Sequence, residues 1–121
     1  SQLSQALWNL IRNAIRYGRD MDKPADITIR ARQSKDGDKS IIEVIDRGPG
    51  IPPKVQTRLF EPFFTTHADG NGLGLYLVKQ LVQANQGEVD YTTVPGGGSC
   101  FRITLVEPQK VAPKVPVSGR S

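Results

Sequence analysis

Asn9 and Asn13 stand four residues apart in an apolar stretch, and two glycine-bearing runs follow them: Asp46-Arg47-Gly48-Pro49-Gly50-Ile51 and Gly70-Asn71-Gly72-Leu73-Gly74-Leu75. The Asp46 carboxylate can accept a proton from an exocyclic amine such as that of adenine. Gly48 and Gly50 remove side chains, so a flat base can approach the backbone, and Ile51 can wall the ring. The second run opens a helical pattern, where bare amides and the positive end of the helix dipole can hold phosphates. No lysine and Ser/Thr pair follows its last glycine, so it is not a P-loop, and it follows no strand, so the dinucleotide fingerprint fails. Asparagine is a mediocre helix former, and a buried amide needs partners. The carbonyl oxygen of Asn13 is a hard ligand suited to Mg²⁺, which also takes phosphate oxygens. Each piece also has a structural reading: a plain turn after an edge strand, glycines for tight packing, an amide bonded to backbone. Their order and spacing together describe an ATP site.

The elements that must position these residues follow from periodicity. Leu3, Leu7, Leu10 and Ala14, with Ile11 and Ile15, predict a helix over 2–17. Asn9, Asn13, Arg16 and Tyr17 fall on an adjoining stripe, and Gly18 is a natural stop. The alternation of 27–32 predicts a strand with one wet face. Asp36-Gly37 signals a tight turn into a second strand, 41–45, and this hairpin delivers Asp46 at its end. Pro52-Pro53 suits the first turn of a short helix running to Leu59. Phe60–Phe64 forms an aromatic knot before the polar linker Thr65–Asp69. A second long helix is expected from Leu73 to Gln86, with Leu75, Val78, Leu81 and Val82 buried and Gly87 ending it. Strands 88–93 and 99–106 flank the turn Gly96-Gly97-Gly98, and Trp8 and Phe101 read as core. The fold class is α/β: two layers, with a mixed, mostly antiparallel sheet covered by helices on one face.

The length of 121 residues suits one domain over 1–106. Residues 107–121 are rich in proline, lysine and serine without periodicity, which predicts a disordered tail. The net charge of +4 comes from scattered arginines with no interleaved aromatics, a pattern that argues against nucleic-acid binding. No apolar run approaches the roughly 18 residues of a membrane span, and the N-terminus lacks a signal pattern, so a cytosolic location is the default. The single cysteine, Cys100, cannot form an internal disulfide and reads as packing. His67, the only histidine, lies in the polar linker, away from any rigid element that could present a phosphoryl acceptor.

The run Leu7–Tyr17 resembles the N box of bacterial sensor histidine kinases, Asp46–Ile51 their G1 box, Phe60–Phe64 the F box, and Gly70–Leu75 the G2 box. Gly96–Phe101 is similar to the glycine-rich strand entry near the end of that family's domain. The resemblance covers residues 3–106 and implies the GHKL, or Bergerat, ATP-binding fold. It implies that Asn13 ligates Mg²⁺ with Asn9 assisting, the two being the catalytic pair. Arg16 would reach a phosphate and Tyr17 would line the nucleotide. Asp46 would bind adenine, helped through water by Ser99, with Gly48, Gly50 and Ile51 around the ring. Gly70, Gly72, Leu73, Gly74 and Leu75 would cradle the phosphates. Thr65–Gly70 would act as a lid, with Thr66 and His67 among its nucleotide contacts, anchored by Phe60 and Phe64. The short lid and Phe-Phe-Thr-Thr look most like the nitrogen-regulation and pilus-sensor branch.

Position 9 separates readings within this superfamily. The ATPase relatives carry a glutamate there to activate water, whereas Asn9 does not titrate near neutral pH and is a poor general base. Phosphoryl transfer needs mainly positioning and charge neutralisation, so the resemblance implies a kinase. Its acceptor would be a histidine on a separate dimerisation domain, and the phosphoryl group would pass to a cognate response regulator. The strand or two usual before the N-box helix are expected to lie outside this sequence. The fragment is expected to be a monomer and the full-length protein a homodimer, possibly membrane-anchored with this domain in the cytosol. An anti-sigma-type serine kinase and a nucleotide-sensing module without transferase activity are the alternatives on the same fold.

Overall fold

A computed structural model describes residues 2–17, 26–64 and 73–106, with backbone only at 16 and 17. Helix α1 spans Gln2–Tyr17, strands β1 and β2 span Ile27–Gln33 and Lys39–Asp46, and the short helix α2 spans Pro53–Gln56. Helix α3 (Gly74–Ala84), β3 (Gly87–Thr93) and β4 (Ser99–Val106) complete the chain order. The strands form one sheet in the order β1-β2-β4-β3. All described pairings are antiparallel, so the parallel part of the expected mixed sheet is not among the described strands.

The helices pack on one another and over one face of the sheet. Ala6, Leu10 and Ala14 of α1 meet Val78 and Val82 of α3, with Val44, Phe101 and Ile103 rising from the sheet below. The small residues at 6 and 14 let the helix sit close to its neighbours, and this decides which way α1 faces. Trp8 lies about 200° around the helix from Ala6 and is 56% exposed. The expectation that it belongs to the core is therefore corrected, while Phe101 is buried as predicted. Ile15, counted in the apolar face, is also exposed. Strand β1 lies at the sheet edge, where the helix layer barely reaches, so Ile29 is exposed and both faces of that strand are largely wet.

Two helix ends differ from expectation. Helix α2 stops at Gln56, and the chain continues to Glu61 through successive turns, with the Arg58 N–H donating to Val55 O and the Glu61 N–H to Arg58 O. Helix α3 is ended not by a left-handed glycine at 87 but by Gln86, at φ 64°. Gly87 is small for another reason: a Cβ there would come within 2.8 Å of Thr104 O and 2.7 Å of Leu105 Cδ2. A left-handed residue after a helix favours glycine, and the non-glycine penalty is about 1–2 kcal/mol. Gln86→Gly should therefore stabilise the domain by roughly 0.5–1 kcal/mol after the added unfolded-state entropy is subtracted, as a rise in the urea midpoint at unchanged slope.

The open sheet face carries a charge ladder across all four strands. Arg30 faces Glu43, Glu43 faces Arg102, and Arg102 faces Asp90 in register. The Arg30 Nε donates to Glu43 Oε1 at 2.9 Å and Arg102 Nε to Asp90 Oδ1 at 3.0 Å. Arg32 Nε and Arg102 Nη1 lie 3.7 and 3.8 Å from the Glu43 carboxylate. Burial pushes the Glu43 carboxyl pKa up, but Arg30, through its hydrogen bond and charge, and then Arg32 and Arg102 outweigh it, so it lies below the ordinary value. The folded state thus favours the carboxylate. Its contribution is complete above the unfolded value and is lost as pH falls through the lowered folded value. Glu43→Gln should cost roughly 1–2 kcal/mol at neutral pH. Its melting temperature should also fall less steeply than wild type between about pH 5 and 3. Burial and then the charge of Glu43 raise the thiol pKa of Cys100, which is buried beside that ladder, in keeping with a packing role.

Candidate functional site

Asp46 ends β2 where that strand pairs with the first residue of β4, so Asp46 and Ser99 are direct cross-strand partners. Both are almost fully buried. The Gly48 N–H turns back to donate to Asp46 Oδ1 at 2.9 Å, which folds the first glycine loop around the carboxylate. Burial raises the Asp46 pKa, opposed by the backbone N–H groups of Gly48 and Ser99. A carboxylate sunk this way, with no ion pair to any described arginine or lysine, is suited to receiving a ligand's N–H donors.

The loop beyond is held just as specifically. Gly50 adopts φ 81°, which favours glycine, and a Cβ there would lie 3.5 Å from Gly98 O. Ile51 packs against the core while its N–H donates to the Tyr91 hydroxyl at 3.0 Å. The same hydroxyl lies 2.9 Å from Ser99 Oγ. An open cleft of about 370 Å³ runs between Pro49–Pro52 and the β3–β4 turn at Val94, Gly97 and Gly98. It touches Gly50 and Ile51 but not Asp46, so it lies beside the carboxylate rather than on it.

The helical contributions are placed as follows. The Asn13 side chain is half-buried, next to core residue Ala14, and its amide makes no hydrogen bond to any described residue. Among the described residues, the structural amide that this position could also be has no partner. Asn9 differs: its Oδ1 accepts from Arg12 Nη2 at 2.8 Å. Among the described residues no three His, Cys, Asp or Glu side chains converge. A divalent ion here would take an amide oxygen, phosphate oxygens and water, a donor set that suits Mg²⁺. Leu73 caps α3, accepting the Leu77 N–H at 2.8 Å, and Leu75 packs against the core. A Cβ on Gly74 would meet no described atom within 4 Å. Among the described residues, packing does not demand glycine at that helix start.

Phe60 sets its ring edge-on to Phe101, with centroids 6.2 Å apart, and Phe64 lies under the Arg58 guanidinium at 4.5 Å. Both aromatics are thus tied down just before the expected lid. The lid contacts Thr66 and His67, the glycines Gly70 and Gly72, the side chains of Arg16 and Tyr17, and the expected tail at 107–121 lie outside the described residues. Tyr91 is the contributor that sequence reasoning missed. A tyrosine at an inward position of a strand has a hydroxyl that needs a partner, and that was the available signal.

Comparison with known proteins bears on this geometry. A family model described as histidine kinase-, DNA gyrase B- and HSP90-like ATPase matches residues 1–109. The sensor protein kinase PilS of Pseudomonas aeruginosa is 42% identical over 92% of this chain and 21% of its own length. The C4-dicarboxylate transport sensor protein DctS of Rhodobacter capsulatus is 37% identical over 92% of this chain and 17% of its own. The chain thus spans about a fifth of the length of these curated relatives. Among solved structures, the mycobacterial sensor histidine kinase MprB superposes with a TM-score of 0.75 at 29% identity, over 87% of this chain and 70% of that one. Full-length ShkA in complex with AMPPNP gives 0.72 at 33%, over 86% of this chain and 21% of that one. No described helix is long and apolar enough to cross a membrane.

Proposed function

The chain belongs to the histidine kinase-, DNA gyrase B- and HSP90-like ATPase family, and from that premise we propose that it is the ATP-binding catalytic domain of a two-component sensor histidine kinase. The observation that carries this reading is buried Asp46, cross-strand from Ser99 and wrapped by the Gly48 N–H, at one end of the sheet. The carboxylate accepts the adenine amine. Gly48, Gly50 and Ile51 line the ring, and the glycine run Gly70–Leu75, which leads in sequence into α3, holds the phosphates. The Asn13 amide oxygen would hold Mg²⁺, which would supply neutralisation of phosphate charge; Arg16 and the lid residues Thr66 and His67 complete the phosphate contacts.

Nothing at position 9 activates water, and the Asn9 amide oxygen is already engaged by Arg12. The site holds ATP for an external nucleophile: a histidine on a dimerisation domain of the same full-length kinase, which then passes the phosphoryl group to a response regulator. A supply of ATP puts the domain on the cytosolic side, and dimerisation of the full-length kinase belongs to the acceptor domain. Incubation with γ-labelled ATP, Mg²⁺ and a histidine-bearing dimerisation domain from a PilS-like kinase tests this directly. Acid-labile, base-stable label on that domain is the expected result. Label on serine, or nucleotide binding with no transfer at all, would replace the kinase reading by the anti-sigma-type or sensing alternative.

A further inference from the structure

We propose that Tyr91 is a positioning residue of the nucleotide site, whose hydroxyl pins the Ile51 end of the first glycine loop and orients the Ser99 hydroxyl as a donor toward the base. This rests on the adenine-nucleotide reading above. The ring of Tyr91 is held edge-on to buried Phe101, with centroids 5.1 Å apart, so its hydroxyl has a defined place. A phenol oxygen has one proton to give and lone pairs to accept with. The Ile51 N–H, at 3.0 Å, uses a lone pair. The remaining partner among the described residues is Ser99 Oγ at 2.9 Å. Without ligand, either polarity leaves one hydroxyl proton, that of Tyr91 or of Ser99, with no acceptor among the described residues. With a base bound, Tyr91 donating to Ser99 and Ser99 donating towards the base satisfies both hydroxyls, whereas the reverse leaves the phenol proton unpaired at a cost of about 1–3 kcal/mol.

That polarity has a consequence at the ligand. The proton of Ser99 is then turned away from Tyr91, and it has no partner among the described residues although Ser99 is only 4% exposed. Asp46, directly across the strand pair, is an acceptor. An acceptor beside a donor matches the adenine edge, where an amine lies next to the unprotonated ring nitrogen N1, reached directly or across one water. Guanine presents the reverse order, a carbonyl oxygen beside a protonated N1. Tyr91, touching no ligand atom, thereby fixes the polarity with which the site reads the base.

The test measures the Kd of this chain for ADP and for 1-deaza-ADP, which lacks the N1 acceptor, with Mg²⁺, by calorimetry. Wild type, Tyr91→Phe and Ser99→Ala are compared. Wild type should prefer ADP by about two- to tenfold, the range of one hydrogen bond. Both variants should bring that ratio towards one, and Tyr91→Phe should weaken ADP more than 1-deaza-ADP. If Tyr91→Phe weakens both nucleotides equally, the tyrosine is only structural and the inference is overturned. A preference that survives in Ser99→Ala overturns it independently of how well the tyrosine variant folds. Wild type that binds neither nucleotide would overturn the nucleotide reading itself, and this inference with it.

Discussion

Replacing Gly98 with alanine should remove most of the domain's stability, on the order of 3–5 kcal/mol, with a fall in melting temperature of roughly 15–30 °C. Two costs coincide at this position. The residue sits at φ 119°, where a side chain is strained. Its Cβ would also be driven onto the backbone of the first glycine loop, 2.2 Å from the carbonyl oxygen of Asp46 and 3.2 Å from Arg47 Cα. Backbone cannot swing aside as a flexible side chain can, because Asp46 and Ser99 are locked in strand register. Gly96 separates the two effects: it too has a positive φ, 87°, but a Cβ there meets nothing within 4 Å. Gly96→Ala should therefore cost only the conformational strain, about 1–2 kcal/mol. Denaturant melts of both variants check this, and equal losses would mean that the close approach between the two loops contributes nothing.

Asp46→Asn should leave the fold intact and weaken ADP by roughly 100-fold or more, the scale of a lost charged hydrogen bond plus an opposed donor. An amide offers one acceptor and one donor group where the carboxylate offers two acceptors. If its oxygen keeps the Gly48 N–H, its NH₂ group is turned toward the ligand and meets the adenine amine donor to donor. If it flips, the NH₂ faces the Gly48 N–H, which now has no acceptor. Neither orientation serves both partners, whereas the carboxylate serves both. The pKa of Asp46 is raised by its burial, so for an acid the ionised group costs folding free energy at pH values above that raised value, and the neutral amide relieves it. The variant should accordingly melt at or above the wild-type temperature without ligand while losing affinity, a combination calorimetry and melting together can read.

The parts of this site that could be read from sequence were those expressed locally. Asp46 was legible because an alternating strand ends on it and Gly-x-Gly follows; Val78 and Val82 were legible because α3 repeats its apolar residues at helical spacing. Gly50 and the Gly96–Gly98 turn declared themselves by residue type. What escaped depended on register or on which neighbour is small. Nothing in the spacing of Arg30, Glu43, Asp90 and Arg102 reveals that four strands bring them into one row. Trp8 looked like core because it is large and apolar, but Ala6 and Ala14 set the close-packed side of α1. Gly87 looked like a helix stop, and its purpose is instead to let β3 approach Thr104 and Leu105. Tyr91 lies 40 residues from the amide it accepts from, a distance across which no local pattern speaks.

The central claim is that Asp46 anchors an adenine nucleotide, and the most direct measurement is a thermal melt of the chain with and without ADP and Mg²⁺, with Asp46→Asn alongside. A ligand at about 100 times its Kd adds about 2.7 kcal/mol, a rise of roughly 10–20 °C for a domain of this size. Wild type should show such a rise, larger with Mg²⁺ than without, and the variant at the same ADP concentration should rise by only about 2–3 °C, since a roughly 100-fold weaker Kd leaves about 0.4 kcal/mol. A cooperative wild-type melt that does not move with ADP and Mg²⁺, or a variant that moves as far as wild type, would contradict that claim.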